Sequence, residues 1–257
     1  MTDLDVTAAA GELWRARSEH ELLDGLPADL RPRDLGDAYR IQDAFDAYAG
    51  RRVGWKLAAT GAGGRAALGV DRPLAGPLYE RYAITTGGSL AFGDIGMQTV
   101  EAEFGLMLAS DLPADGAPYD RQSIVAALGA FVPAIEVPDT RYRDHRSAGG
   151  AQLTADTACG GYFVLGQRVT GYDPDALADH PVSLTTADGS ASGTGAKVLG
   201  SPVEAVRWLA NELARDGRGL RAGECVITGA AAAVRKPGSG PAVAHFGDLG
   251  TLTLILS

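Results

Sequence analysis

Apolar side chains in the first fifty residues recur every three or four positions, which is the spacing of an amphipathic helix. The pattern predicts one helix over residues 2 to about 24 and a second over 35–49, for which Asp34 is a suitable N-cap. From residue 51 onward the pattern changes to short apolar runs broken by glycine and proline. We therefore predict an N-terminal helical part at 1–50 and a β-rich part at 51–257 that forms one structural unit.

The β-rich part is predicted to contain many short strands and two clear helices. The strands are expected at 54–58, 76–78, 83–86, 99–108, 131–137, 162–165, 182–186, 224–228, 242–246 and 251–256. The helices are expected at 121–128 and 202–215, and the small, polar stretch 190–195 is predicted to be a surface turn. This balance of elements favours an α+β fold, a β-rich mixed roll in which sheets curl around a core.

Two of the predicted strands contain carboxylates among core residues. Glu101 and Glu103 are two positions apart and so project from the same face of a strand, and Glu136 lies in another apolar run. Burying ionised carboxylates is costly unless a cation or dense hydrogen bonding compensates them. Three glutamates in such settings indicate a shared divalent ion. The alternative is that they lie on the exposed faces of edge strands.

Lys56 lies in the middle of a predicted strand, from which its ammonium group could also extend to solvent. The segment that follows, 60–66, fits the pattern G-x-G-x-x-A. Pro73 comes too soon after it for the crossover helix of a dinucleotide-binding unit. We therefore do not expect a nucleotide site.

Composition and charge narrow the possible partners. The chain of 257 residues has a net charge of -9 and a pI near 4.9, with no basic patch, which argues against nucleic acid or an anionic membrane as a partner. No run approaches the roughly 18 apolar residues of a membrane helix, and the N-terminus lacks the features of a signal peptide. We expect a cytoplasmic protein.

The cysteine and histidine content favours oxygen ligands for any metal. The four histidines show no paired spacing, and Cys159 and Cys225 form no C-x-x-C pair. A nucleophilic pair of Cys159 and His145 is conceivable but disfavoured, because nothing near Cys159 in the sequence marks it as an activated thiolate.

Eight short motifs occur in the order and approximate spacing of one family. They are Gly54-Trp55-Lys56, Leu68-Gly69-Val70, Val100-Glu101-Ala102-Glu103, Ile135-Glu136-Val137-Pro138-Asp139-Thr140-Arg141, Ala155-Asp156-Thr157-Ala158, Trp208-Leu209-Ala210-Asn211, Leu220-Arg221-Ala222-Gly223 and Thr228-Gly229-Ala230. The chain resembles the 2-keto-4-pentenoate hydratase and 4-oxalocrotonate decarboxylase branch of the fumarylacetoacetate hydrolase superfamily. The resemblance extends over nearly the whole chain.

This resemblance implies a cytoplasmic, homo-oligomeric lyase that acts on a small 2-oxo acid in aromatic catabolism. It implies that Mg²⁺ or Mn²⁺ is held by three glutamates, namely Glu101, Glu103 and Glu136. Lys56 would hold the substrate carboxylate or move a proton, and burial beside the cation would lower its pKa. The residues that the resemblance assigns to substrate binding are Thr60, Asp156 and Thr228. Arg235 and Lys236 are added as cations for a second carboxylate of a diacid, with solvated loop charges as the alternative.

The departures from the family pattern leave the reaction open. Leu74 stands where hydratases typically have an aspartate for acid/base work, so either Asp71 or another acid replaces it or, as in the decarboxylases, none is needed. Thr157 stands where asparagine is usual, and Arg235 and Lys236 stand in a segment that is usually apolar. Hydration and decarboxylation therefore rank close together, with hydration first because the overall similarity is to the hydratases. Carbon–carbon hydrolysis ranks third, since no histidine lies near the glutamates in sequence, and a binding or accessory role remains the alternative to catalysis.

Overall fold

The computed structural model describes residues 3–257. Within this range the α-helices are α1 (Val6–Ser18), α2 (Leu35–Ala49), α3 (Ala62–Leu68), α4 (Arg121–Ala127), α5 (His145–Ala148), α6 (Gly150–Ala155) and α7 (Pro202–Ala214). The strands are β1 (Arg52–Ala58), β2 (Leu74–Tyr79), β3 (Ala83–Ile84), β4 (Ser89–Leu90), β5 (Thr99–Leu108), β6 (Leu128–Val137), β7 (Tyr162–Leu165), β8 (Pro181–Thr186), β9 (Gly189–Thr194), β10 (Cys225–Arg235), β11 (Gly240–His245) and β12 (Thr251–Leu256). No helix in the described range is long and apolar enough to cross a membrane.

The strands form a seven-stranded sheet with the order β2-β1-β10-β5-β6-β7-β3 and a five-stranded sheet with the order β4-β12-β11-β8-β9. The largest hydrophobic core contains alternate residues of β5, including Phe104, together with Phe246 after β11 and Val206 of α7. Because successive strand residues point to opposite faces, the residues between them on β5 lie on the other face of the seven-stranded sheet. Glu101 and Glu103 belong to that second face.

The first two helices match the amphipathic pattern. Asp5 and Asp34 cap them by accepting hydrogen bonds from backbone N–H groups in their first turns. Helix α1 ends at Ser18 rather than near residue 24, before His20 takes a positive φ of 53°. The start of that predicted helix at Thr2 lies outside the described residues. The buried Gln42 of α2 donates to Ala75 O of β2 at 2.8 Å and so fixes the helix against the sheet.

Two further predicted helices are confirmed to within one residue as α4 and α7, but the turn predicted over 190–195 is wrong. Residues 189–194 form β9, which pairs with β8. The small side chains that resemble a turn are required by packing, because a Cβ atom on Gly193 would lie 2.1 Å from Ala231 O. The short helices α3, α5 and α6 were not predicted, since four to seven residues are too few to show a helical period.

Candidate active site

Three glutamates converge on the second face of the seven-stranded sheet. In the register of β5 and β6, Glu101 lies directly opposite Glu136, and Glu103 follows two positions along the same face. One carboxylate oxygen from each of the three lies within 4.8 Å of the others. Strands β5 and β6 are interior strands of the sheet, so the alternative of exposed edge strands is wrong.

These carboxylates are poorly compensated within the described part of the chain. Glu103 is 0% exposed and Glu136 is 1% exposed. Glu103 Oε2 accepts a hydrogen bond from Gly229 N at 2.7 Å, whereas Glu103 Oε1 and Glu136 Oε2 have no hydrogen-bond partner among residues 3–257. An orphaned buried carboxylate oxygen indicates a missing ion or proton.

The cost of this burial appears in the pKa values of the three carboxyls. Burial, followed by repulsion from Glu136, raises the pKa of Glu101 to about 7. Burial and repulsion from its two neighbours hold the pKa of Glu103 well above its ordinary value, and burial also raises the pKa of Glu136. The cluster therefore favours either a proton or a cation.

Lys56 of β1 is 1% exposed and lies beside the glutamates. Its Nζ donates to Ala158 O at 3.0 Å and forms an ion pair with Glu136 Oε1 at 3.0 Å. An ammonium group has three N–H donors, so one remains for a ligand. Burial lowers the pKa of Lys56, but attraction to Glu136 and Glu103 outweighs it and the pKa is raised. The sequence-based expectation of a lowered pKa for Lys56 took account of burial and of a bound cation. It did not include the attraction to the carboxylates, which raises the pKa.

A bulge in β10 positions the backbone N–H of Gly229, which donates to Glu103. The pairing of β10 with β5 is irregular around Gly229, which has φ 102°. A Cβ atom there would lie 2.1 Å from Thr60 Oγ1, so both the backbone angle and the close contact require glycine. Thr228 is 0% exposed and donates through Oγ1 to Phe104 O at 2.8 Å, which holds the bulge against β5.

A turn in the left-handed conformation positions Ala158 O, which accepts the hydrogen bond from Lys56. Thr157, Ala158 and Cys159 have φ values of 56°, 53° and 61°, a conformation that is uncommon for residues other than glycine. Asp156 anchors the start of this turn, since its Oδ2 accepts from Thr140 Oγ1 and Arg141 N, both at 2.7 Å. Consecutive strained residues of this kind cluster at functional sites.

A cavity of about 410 Å³ lies beside the carboxylate cluster and meets it at Glu101. Four of the predicted site residues line it, namely Lys56, Thr60, Glu101 and Arg235. The other five predicted site residues are not among its lining residues, namely Glu103, Glu136, Asp156, Thr228 and Lys236. Asp156 and Thr228 instead make the buried hydrogen bonds described above, and the exposed Lys236 donates its backbone N–H to Gln98 O.

The cavity also contains residues that the sequence did not place there. His145 and Arg146 of α5 and the buried thiol of Cys159 line it. Burial raises the pKa of Cys159 to about 12, so this thiol is not a nucleophile although it shares the cavity with His145. The sequence suggested His145 only as a disfavoured partner of Cys159, and no local pattern placed it beside the glutamates.

Leu74 does not provide an acid in this cavity. It is 2% exposed and packs in a hydrophobic cluster with Leu68 and Leu153. Asp71, the suggested replacement, is exposed and lines a different cavity beside α2 and α7. The group that transfers protons, if the reaction needs one, is therefore neither of these residues.

The donor set fits a hard divalent cation. Three ionised glutamates and Lys56 together carry two negative charges, which a divalent ion neutralises. Carboxylate oxygens are the ligands that Mg²⁺ and Mn²⁺ prefer, and three of them leave positions for water or substrate in an octahedral shell.

Comparison with known proteins places this site in a family. A scan against protein-family models finds no match. The 2-keto-4-pentenoate hydratase 1 of Dechloromonas aromatica (strain RCB) is 34% identical over 232 residues, which cover 88% of this chain and 87% of the relative. The chain belongs to the family of 2-keto-4-pentenoate hydratases. A 4-oxalocrotonate decarboxylase of Pseudomonas putida is 27% identical over 249 residues, with 94% of this chain and 93% of that protein covered.

The fold agrees with this family. The structure of 4-oxalocrotonate decarboxylase from Pseudomonas putida G7, complexed with magnesium and adipate, matches with a TM-score of 0.87 and 25% identity over 98% of this chain and 97% of that one. The predicted family and the predicted α+β roll are confirmed. The protein is an enzyme of the lyase class, as the named hydratases and decarboxylase indicate.

Proposed function

We propose that the protein is a lyase that uses Mg²⁺ or Mn²⁺ and acts on a 2-oxo or 2-hydroxydienoic acid. Glu101, Glu103 and Glu136 would hold the ion. The observation that supports this most strongly is the convergence of three carboxylates, two of them with orphaned buried oxygens, beside a buried lysine and next to a cavity that Glu101 and Lys56 line. When bound, the ion would act as a Lewis acid that stabilises negative charge developing on the 2-oxo oxygen.

Lys56 and Thr60 would orient the substrate. The free N–H donor of Lys56 is suited to the carboxylate of a 2-oxo acid, because hydrogen bonds between charged partners are short and strong. Thr60 lies on the cavity wall beside Gly229 and offers a hydroxyl that can donate or accept. Asp156 and Thr228 support the walls of this site through backbone and hydroxyl contacts.

The similarity to the hydratases favours hydration of a substrate like 2-hydroxypenta-2,4-dienoate. The relatives that are 31 to 36% identical include several proteins named 2-keto-4-pentenoate hydratase. In this reaction water adds across a carbon–carbon double bond of the substrate. The electron pair of that bond is delocalised toward the 2-oxo group.

Decarboxylation of a diacid like 4-oxalocrotonate is the second candidate. Two observations favour it: the apolar environment of Leu74 and the presence of Arg235 on the cavity wall. A guanidinium group pairs well with a carboxylate, so Arg235 could hold the distal end of a diacid. Loss of carbon dioxide needs charge delocalisation but no acid at position 74.

The deciding experiment follows the ultraviolet absorbance of freshly made 2-hydroxypenta-2,4-dienoate and 4-oxalocrotonate in parallel, with Mg²⁺ present and after chelation. We expect consumption that depends on Mg²⁺ and is restored by Mn²⁺. Consumption of only the diacid with release of carbon dioxide would assign decarboxylation. A protein that binds neither ion and consumes neither compound would instead be a binding or accessory protein.

We further propose that the enzyme is a homo-oligomer that acts in the cytoplasm in aromatic catabolism, with a small 2-oxo acid rather than nucleic acid or membrane as its partner. The family similarity and the net charge of -9 support these points. Light scattering of the purified protein would give the subunit count.

A further inference from the structure

We propose that His145 is the acid/base residue that exchanges protons between the carbon chain of the substrate and solvent, in place of the acid absent at Leu74. This inference rests on the proposed function, since it concerns the same cavity. His145 begins α5 and lines the cavity together with Lys56 and Arg235. It is half-buried, so it meets both the cavity and the solvent with which it would exchange the proton.

The other ionisable groups of the cavity are unsuited to this task. Lys56 Nζ already donates to Ala158 O and pairs with Glu136 Oε1, so its one remaining N–H is left for the substrate carboxylate rather than for proton transfer. Cys159 keeps its proton because burial raises the pKa of its thiol to about 12. Glu101 belongs to the carboxylate cluster, and the guanidinium groups of Arg146 and Arg235 offer donors but no acceptor.

The surroundings of His145 favour its neutral form. Burial lowers the pKa of His145, Asp144 opposes this, and Arg146 and Arg235 lower it further. Within residues 3–257 neither ring nitrogen makes a hydrogen bond to the protein, in contrast to His180, whose Nε2 lies 2.7 Å from Phe246 O. A neutral imidazole without a fixed partner can accept a proton and return it.

The proposed step balances without another reactant. His145 removes a proton from the carbon next to the 2-oxo group, and the electron pair of that C–H bond becomes the carbon–carbon double bond of an enolate whose charge lies on the 2-oxo oxygen. The imidazolium exchanges its proton with water. In the reverse step it returns a proton to the same carbon and the 2-oxo group re-forms.

The step can be tested on 2-oxopentanoate, which cannot be hydrated or decarboxylated by the proposed routes. In D₂O with Mg²⁺, the wild-type holoenzyme should exchange the C3 protons, as followed by ¹H NMR. His145→Asn should reduce this exchange and the turnover of the reactive substrate by about 100-fold, the usual contribution of a general acid or base. His20→Asn is the matched control, because His20 is exposed, lies outside the cavity and has a φ that asparagine tolerates.

Four readouts separate catalysis from support of the fold. Free imidazole should restore exchange to His145→Ala, and the acid limb of the pH profile should vanish in His145→Asn. Mg²⁺ affinity, measured calorimetrically, should be unchanged in both variants. With histidine ring carbons labelled, addition of 2-oxopentanoate to the Mg²⁺-loaded wild type should shift the His145 signal and leave that of His245, on the five-stranded sheet, in place.

The outcomes distinguish this inference from the proposed function. A wild type that neither exchanges 2-oxopentanoate nor consumes a dienoic acid would overturn both. An active wild type combined with a fully active His145→Asn would overturn the role of His145 alone. Loss of activity without imidazole rescue, with the pH profile unchanged, would assign His145 a structural role and also overturn the inference.

Discussion

Glu101 and Glu136 face each other directly across the central strands β5 and β6. Like charges in directly opposite positions destabilise a sheet. Lys56 compensates Glu136 in part, and a proton or a cation shared by the pair would stabilise it further. The pH decides which of the two the three-carboxylate cluster binds.

We expect the metal-free protein to lose stability as the pH rises from about 5 to 8. The pKa of Glu101 is raised from 4.5 to about 7 in the folded protein, so its stabilising contribution is complete below 4.5 and is lost as the pH rises through 7. The pKa values of Glu103 and Glu136 shift in the same direction. Thermal unfolding in EDTA measures the effect, and Glu101→Gln should flatten it.

Excess Mg²⁺ should reverse this dependence, because the ion binds only the ionised carboxylates. The increase in Tm on adding Mg²⁺ should therefore grow between pH 5 and 8. A constant increase over that range would contradict metal binding by these glutamates.

Glu103→Gln should reduce Mg²⁺ affinity by at least about 100-fold while the protein remains folded. The amide oxygen can still accept the hydrogen bond from Gly229, but the charge is lost. Isothermal titration calorimetry measures the affinity, and circular dichroism verifies the fold. Glu80→Gln, at an exposed ion pair with Arg51, is the control and should bind Mg²⁺ normally. Equal affinity in the two variants would show that Glu103 is not a ligand.

Lys56→Met should lower kcat by about 100-fold or more without weakening Mg²⁺ binding. Removal of the ammonium group leaves the carboxylates without their positive neighbour, so a divalent cation is bound as well or better. Steady-state kinetics and calorimetry on the same preparation separate the two effects. Lys197→Met, at an exposed position, serves as the control. Weakened Mg²⁺ binding with an unchanged kcat would contradict the role assigned to Lys56.

Gly229→Ala should destabilise the protein more than Gly223→Ala does. Both glycines have positive φ values, 102° and 86°, but a Cβ atom at Gly223 meets no atom within 4 Å, whereas one at Gly229 meets Thr60. Each substitution should therefore lower the free energy of unfolding by about 1 kcal/mol through backbone strain. Overpacking should add about 1–3 kcal/mol only at Gly229. Urea denaturation measures both. Equal losses would show that the bulge relaxes without strain.

Thr157→Asn should raise the stability by about 0.5–1 kcal/mol. Threonine is branched at Cβ and is held at a φ of 56°, where asparagine is more readily accommodated, and the two side chains are similar in volume. An increase in Tm of a few degrees is expected. Thr186→Asn in β8 should decrease the Tm, since it places the same change in an extended strand. A decrease for both variants would refute strain at Thr157.

The local pattern of the sequence was sufficient to predict much of the site. The alternation of apolar and acidic residues predicted that Glu101 and Glu103 share a face, and the helix signals gave α2 with its exact bounds. The register that places Glu136 opposite Glu101 depends on pairing between distant strands, which no local pattern records. The structure brings Glu101, Glu103 and Glu136 together, as the predicted shared ion requires.

Other features depended on tertiary contacts. The strand β9 was missed because its small residues are required by the backbone of β10 rather than by a turn. His145 was not expected in the cavity because the chain that leaves β6 reaches the cavity through loop residues without periodicity. Asp156 and Thr228 were predicted as substrate-binding residues, whereas neither lines the cavity and both side chains hydrogen-bond to nearby backbone groups.

The parallel pairing of β1 with β10 determines when the site can form. Gly54 pairs with Cys225, so the strand that contains Lys56 is completed only after most of the chain has been synthesised. Contacts of such long range form slowly, since the entropy of closing a long loop must be overcome first. A nascent chain that has not yet released β10 therefore has its three glutamates, but it lacks the Gly229 N–H that binds Glu103 and the strand that joins Lys56 to them in one sheet, so the complete active site assembles late in folding.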